Sequence, residues 1–258
     1  MADDESVLAF YDAFAADYHL IFANWETSIE WQGRLLDGLI RSRFDAGAFP
    51  LTVLDCACGI GTQAIGLARQ GGYRVHATDI SSQAIDRARR EAEQAQVDVT
   101  FAVADMRSLG QTVAGEFDVV IAFDNAIPHL LSDEELLQAA RELRAKTLPG
   151  GLILASTRDY DALLKERPEV TSHRVIATPE GKHVVFQVWE WQEEQYRVTQ
   201  FIVVPQGSEW QVRYYSTLYR ALRRETLTQA LSLAGFSQVT WLMPEESGFY
   251  QPIVIARV

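Results

Sequence analysis

A chain of 258 residues, 48% of them hydrophobic, is long enough to bury the core of one large domain without disulfide or metal staples. Its formal net charge of −12, from 23 Lys and Arg against 35 Asp and Glu, lacks the basic footprint that nucleic-acid phosphates need and disfavours anionic membrane surfaces. No apolar run is long enough to span a bilayer, and Met1-Ala-Asp-Asp-Glu5 has neither the basic nor the apolar part of a secretory leader. The expectation is a cytoplasmic protein with no nucleic-acid or membrane partner.

Residues 6–45 read as helical, with apolar positions at mixed helical spacing and aromatics at Phe10, Tyr11, Phe14, Tyr18, Trp25 and Trp31. From Leu51 strands and helices alternate. Leu51–Leu54 is a short apolar strand, followed by a glycine-rich turn and a helix to about Gln70. Tyr73–Thr78 is a second strand, and Ser82–Gln94 a charged amphipathic helix capped by Ser81 or Ser82. Val97–Val103 and Phe117–Phe123 are the third and fourth strands, the latter apolar at nearly every residue, as in parallel sheets buried on both faces. Ser132-Asp-Glu-Glu135 predicts a capping box opening a helix to about Lys146. Leu148-Pro-Gly-Gly151 predicts a turn into a fifth strand, Leu152–Ser156. The alternation predicts a Rossmann-like α/β fold with a doubly wound, mostly parallel, seven-stranded sheet and right-handed crossovers.

After Arg158 the pattern changes. Val184–Glu190, Tyr196–Val204 and Trp210–Leu218 are strand-like with no helix between them, which predicts an inserted antiparallel sheet. It is expected to be a lid or substrate-facing layer, with a subunit interface as the alternative. Arg223–Ala234 is a last helix ended by Gly235, and Val239–Leu242 with Ile253–Val258 predicts a terminal hairpin. The absence of repeats and linkers predicts one domain, 1–258. Its parts are a helical cap (1–48), a ligand-binding core (49–160), inserted strands (161–222) and a terminal helix with hairpin (223–258).

The segment Val53-Leu-Asp-Cys-Ala-Cys-Gly-Ile-Gly-Thr-Gln-Ala64 carries the chemistry. Gly59, Gly61 and Ala64 match G-x-G-x-x-G/A between a strand and a helix, a pattern that by itself does not choose a cofactor. Asp55, four residues before Gly59, does. It would repel the pyrophosphate of a nicotinamide dinucleotide at this helix N-terminus, but favours the sulfonium and ammonium of S-adenosylmethionine. The glycines allow close backbone approach to the methionine part. Ligands of open α/β sheets bind beyond the carboxyl ends of the strands. There Asp79 is placed to accept the ribose hydroxyls and Asp105 the adenine amino group, with Asp124-Asn125 after the fourth strand. The only cysteines, Cys56 and Cys58, lack zinc-like partners and are too close for an unstrained disulfide; they read as packing residues, and no metal is expected.

Leu54-Asp-Cys-Ala-Cys-Gly-Ile-Gly61, Asp79, Ala104-Asp-Met106, Phe117-Asp-Val-Val120 and Leu148-Pro-Gly-Gly151 together resemble the class I S-adenosylmethionine-dependent methyltransferases over residues 50–157. A narrower similarity, over nearly the whole chain, is to the glycine and glycine/sarcosine N-methyltransferases. It rests on Trp25-Glu-Thr-Ser-Ile-Glu-Trp-Gln-Gly-Arg34, Asn125-Ala-Ile-Pro-His-Leu130, Thr157-Arg-Asp-Tyr-Asp161 and the strand-rich stretch ending in Tyr214-Tyr215. The resemblance implies that Arg34 pairs with the donor's carboxylate, and that Arg158, helped by Asn125, holds an acceptor carboxylate. It implies donor contacts from Trp25, Ala57, Ile80 and Met106, and places His129 at the family's histidine. Tyr11, Tyr18 and Trp25 are candidates to close the site. Asp105-Met106 stands where the animal glycine enzymes have Asn-Trp, and Ala126 replaces a family serine.

The expected reaction is in-line methyl transfer to the amine of a small molecule, such as glycine, sarcosine or a similar amino acid, releasing S-adenosylhomocysteine. A hydroxyl acceptor would need a base, for which His129 is the candidate. The alternatives are an N- or O-methyltransferase of another metabolite, a nicotinamide-dependent oxidoreductase, and a non-catalytic binding protein of the same fold. Oligomeric state is not fixed by the sequence.

Overall fold

The computed structural model describes residues 6–178 and 181–258; residues 1–5, read above for a leader, and 179–180, within the inserted stretch, lie outside the described residues. The core is a seven-stranded sheet. Its strands are β1 (Leu51–Asp55), β2 (Tyr73–Asp79), β3 (Val99–Val103), β4 (Phe117–Ala122), β5 (Thr147–Ser156), β10 (Ser237–Leu242) and β11 (Ile253–Arg257), in the order β10-β11-β5-β4-β1-β2-β3. β1 to β5 run parallel, and β11 joins β5 antiparallel, pairing in turn with β10. This is the doubly wound, mostly parallel sheet the alternation predicts. The central strands are apolar because both faces are covered: Val53, Leu54, Val119, Val120, Ile121 and Ile153 are fully buried.

The covering helices are α3 (Thr62–Gln70), α4 (Ser82–Ala95), α5 (Asp133–Ala145) and α7 (Arg224–Leu233). Ser81, not Ser82, caps α4 by accepting from the Ala84 N–H. In the expected capping box, the Ser132 hydroxyl accepts from Glu135 N–H at 3.2 Å, while the Glu135 carboxylate accepts from Leu131 N–H, one residue before the cap. Leu148-Pro-Gly-Gly151 is not a free turn. It lies inside β5, where a register shift against β4 between Phe117 and Val119 absorbs the extra residues as a bulge. The terminal pair is antiparallel as expected, but a short helix α8 (Pro244–Ser247) stands between its strands.

The N-terminal stretch, helical as expected, is divided into two helices. α1 (Val7–Phe14) and a 3-10 turn (Tyr18–Ile21) precede α2 (Trp25–Arg41), whose Asn24 cap accepts from Thr27 N–H. α2 lies on α3 with no room for side chains at the crossing: a Cβ on Gly33 would stand 2.4 Å from the Gly66 carbonyl oxygen. The inserted stretch forms a separate antiparallel sheet, β6 (Arg174–Thr178), β7 (Gly181–Gln192), β8 (Gln195–Gln206) and β9 (Glu209–Arg220), after a short helix α6 (Tyr160–Glu166). β6 and α6 were not legible in the sequence. The inner face of this sheet packs on α1 through Phe10, Phe14, Ile176, Val185 and Ile202. Asp17 ties the two together, accepting from Arg213 and from the Tyr215 hydroxyl at 2.8 and 2.6 Å, and α1 is tied to the core by Ser81 donating to Asp12.

The glycine crossing sets how closely the N-terminal helices approach the cofactor loop. Gly33→Val is expected to destabilise the protein by about 3 kcal/mol through overpacking against backbone, with Gly47→Ala, which meets nothing within 4 Å, near neutral. Urea unfolding of the two variants checks this.

Candidate functional site

At the carboxyl ends of β1 to β4, under α1, lies a cavity of about 100 Å³. Ala57, Gly59, Asp79, Ile80, Asp105, Met106, Asp124 and His129 all line it, together with Tyr11 and Tyr18. Gly59 has φ +53 and open space where a Cβ would be, so the loop presents bare backbone there. Its N–H donates to Asp79 Oδ2 at 2.8 Å, and Ser81 N–H donates to Asp79 Oδ1 at 2.9 Å, which fixes the carboxylate at the end of β2. Gly61, at φ +98, does not line the cavity but turns the chain into α3.

Asp55 sits just behind the lining. It is 1% exposed, its Oδ1 accepts from Ala57 N–H, and its Oδ2 is buried without a partner. Burial, with the neighbouring Asp79 and Asp124 carboxylates adding to it, pushes its pKa up to about 8. Burial raises Asp79 and Asp124 as well. Among the described residues no Lys or Arg forms an ion pair with any of the three. Asp105 differs: burial pushes it up, but the forked hydrogen bonds and charge of Arg107 outweigh that and hold it below the usual carboxylate range. Cys56 and Cys58 are free and buried, with the Cys56 thiol donating to the Ile121 carbonyl. Among the described residues no cluster of His, Cys, Asp or Glu is grouped to hold a metal ion.

Two predicted donor residues lie apart. Trp25 is one side chain removed, its Nε1–H donating to the hydroxyl of Thr62, which lines the cavity. Arg34 projects from the outer face of α2, 57% exposed and paired with Glu30 one turn earlier. The crossing at Gly33 turns the neighbouring residue outward, so α2 supplies no cation to the cavity from this position.

A second, larger cavity of about 770 Å³ lies between α1, α2, α6 and the inner face of β6–β9, sharing Tyr11, Tyr18 and Asp124 with the first. Arg158 and Asn125 meet here. Asp124 and Asn125 both have left-handed backbones (φ 55 and 69), strained for non-glycine residues and held by hydrogen bonds from their N–H groups to the Ser156 hydroxyl and carbonyl. The Asn125 Oδ1 accepts from Arg158 N–H and the Tyr160 hydroxyl, which leaves its buried Nδ2 without a partner. The Arg158 guanidinium donates to the Tyr196 hydroxyl at 2.9 Å and Gln187 Oε1 at 3.1 Å, and lies 4.7 Å from the centre of the Trp189 ring. No carboxylate pairs with it among the described residues.

His129 is engaged at both nitrogens. Nδ1 lies 3.2 Å from the Leu218 carbonyl, which can only accept, so Nδ1 carries the hydrogen and Nε2 accepts from the Tyr11 hydroxyl at 2.9 Å. Burial lowers its pKa to about 3, so it is neutral. Sequence reasoning missed Gln63, whose amide donates to Asp124 and Gln32, and Tyr250, which donates to Asp124. It also missed the Gln187, Trp189, Tyr196 and Tyr219 surround of Arg158. Tyr160 alone had a signal, standing within Thr157-Arg-Asp-Tyr-Asp161.

A family model described as a methyltransferase domain matches residues 53–151. Streptomyces venezuelae DesVI has the same fold, with TM-score 0.79 at 18% identity, covering 94% of this chain and 97% of that one. The S-adenosylmethionine-bound amino pentose methyltransferase CalS10 from Micromonospora echinaspora follows with TM-score 0.74 at 17% identity, covering 95% and 97%. Residues 53–151 therefore carry a methyltransferase domain, within a chain that has the fold of the class I S-adenosylmethionine-dependent enzymes. Within the class it is similar to a glycine/sarcosine N-methyltransferase of Parasynechococcus marenigrum (strain WH8102). The two are 33% identical over 144 residues, which cover 55% of this chain and 50% of that protein. The chain spans half or less of the length of the curated relatives it matches. No helix among the described residues is long and apolar enough to cross a membrane.

The buried carboxylates set a pH signature. Asp55 keeps in the folded state a proton that the unfolded chain loses near pH 4. The stability it contributes is therefore full below that pH and lost as the pH rises to about 8, at up to about 1.4 kcal/mol per pH unit. A cationic ligand favours the charged carboxylate, so S-adenosylmethionine binding at pH 6.5 (roughly 1.5 units below that pKa) is expected to release protons. Calorimetry in buffers of different ionisation enthalpy measures the release, and Asp55→Asn is expected to reduce it.

Proposed function

We propose that the chain transfers the methyl group of S-adenosylmethionine to the amine of a small carboxylated acceptor: glycine, sarcosine or a similar amino acid. The observation that carries this reading is Arg158, a half-buried guanidinium that pairs with no carboxylate among the described residues, beside the unpartnered Asn125 Nδ2 in a cavity that adjoins the donor pocket. A charge withdrawn from water is costly unless paired, and Arg presents the forked donors that a carboxylate accepts. The likeness to the glycine/sarcosine enzyme, and to a glycine/sarcosine/dimethylglycine N-methyltransferase of Actinopolyspora halophila at 29% identity over 142 residues, supports it.

In this reading Ala57 and Gly59 receive the methionine part, Asp79 the ribose and Asp105 with Ile80 and Met106 the adenine. Asp55 and Asp124 lower the energy of the cationic donor. The amine lone pair attacks the methyl carbon in line with the breaking carbon–sulfur bond, whose electrons return to sulfur as S-adenosylhomocysteine leaves. The resulting ammonium then loses its proton. An activated donor leaves proximity and alignment as the main contribution. The state of His129 favours an amine over a hydroxyl, because its Nε2 is occupied by Tyr11 and is not free to take a hydroxyl proton.

Arg158→Ala is expected to raise the acceptor KM by about 100-fold, the cost of removing a charged partner from a desolvated pair, with S-adenosylhomocysteine affinity unchanged. Arg158→Lys should restore part of it. Methyl-transfer kinetics with calorimetry of the product check this, and an unchanged acceptor KM sinks the carboxylate reading.

A further inference from the structure

The acceptor cavity is far larger than glycine requires. Glycine, no bigger than a few waters, fills on the order of 100 Å³ at about 30 Å³ per water, against about 770 Å³ available. Part of the wall is apolar: Ile21 and Phe22 from the 3-10 turn and the residue after it, Trp31 from α2, Leu163 from α6 and Phe186 from β7, all half-buried, with Phe14 behind them, while Ser28, Asp159, Thr171, Ser172 and Arg174 are among the polar residues that line the rest. Trp31 is stacked on Phe249 at 5.5 Å, and Phe186 on Phe201 at 4.9 Å, so two of these walls are braced rings. Hydroxyl groups placed against such walls would lose their hydrogen bonds to water without replacement, whereas an apolar group gains by leaving water.

We propose that the acceptor is an amino acid with a large aromatic or aliphatic side chain, its carboxylate held by Arg158 and Asn125 and its side chain filling the apolar part of the cavity. The inference rests on the methyl-transfer reading above and narrows it. Tyr11, Tyr18 and Asp124 line both cavities, and the α-amine has to reach them for the methyl group to be delivered. Glycine and sarcosine satisfy the carboxylate contact but leave the apolar walls wet.

The test uses the intact chain with S-adenosylmethionine and, separately, glycine, sarcosine, leucine, phenylalanine, tryptophan and phenethylamine. Two quantities are read: S-adenosylhomocysteine release, and the thermal shift each acceptor adds to the S-adenosylhomocysteine complex. The expected result is a kcat/KM for at least one of the three large amino acids roughly ten- to a hundredfold above glycine, with phenethylamine well below phenylalanine and the thermal shifts in the same order. Transfer to glycine or sarcosine equal to or better than to the large amino acids overturns this inference and leaves the methyl-transfer reading standing. Transfer to phenethylamine matching phenylalanine overturns the carboxylate anchor and both readings of the acceptor. Retained S-adenosylhomocysteine binding with no transfer to any of the six overturns both as well.

Discussion

Three carboxylates that pair with no Lys or Arg among the described residues, the buried Asp55 and Asp79 and the half-buried Asp124, are the constraint around which this site is organised. They stand at or just past the carboxyl ends of β1, β2 and β4, where a parallel sheet covered on both faces leaves its loops as the only polar region. Backbone N–H groups of Ala57, Gly59 and Ser81 and the side chains of Gln63 and Tyr250 supply the hydrogen bonds that keep these oxygens buried. None of these donors brings a full positive charge. A ligand bearing a sulfonium and an ammonium therefore supplies what the fold withholds.

The second cavity differs. Its Arg158 is half-buried and forms no ion pair with a carboxylate among the described residues, its hydration partly replaced by the Tyr196 hydroxyl, Gln187 Oε1 and the faces of Trp189 and Tyr219. The two cavities meet at Tyr11, Tyr18 and Asp124. Tyr11 holds its place through His129, and the α1 segment that carries it is clamped on one side by Asp12 to Ser81 and followed on the other by Asp17, bound to Arg213 and Tyr215.

The donor half was legible in the sequence because local signals there coincide with spatial ones. Asp79, Asp105 and Asp124 stand at strand ends or within two residues of them and line the cavity there, so they could be placed from strand positions alone. Arg34 shows the limit of such reading. Its spacing within α2 gave no information on which way it faces, and the Gly33–Gly66 contact turns it to solvent. His129 could be singled out from the sequence, but its tautomer and occupancy depend on a carbonyl 89 residues away in β9.

The sequence by itself determined the doubly wound sheet, the glycine loop and its acidic companions, because hydrophobic periodicity and turn chemistry act over a few residues. It also determined that an antiparallel sheet follows the core. The tertiary structure decided where that sheet sits. Gln187, Trp189, Tyr196 and Tyr219 lie on three strands and become neighbours of Arg158 only through cross-strand pairing and the packing of the sheet's inner face on α1. Contacts between residues far apart in the chain leave no periodic trace, so the cage around the guanidinium and the size of the cavity beside it exist only in the folded protein.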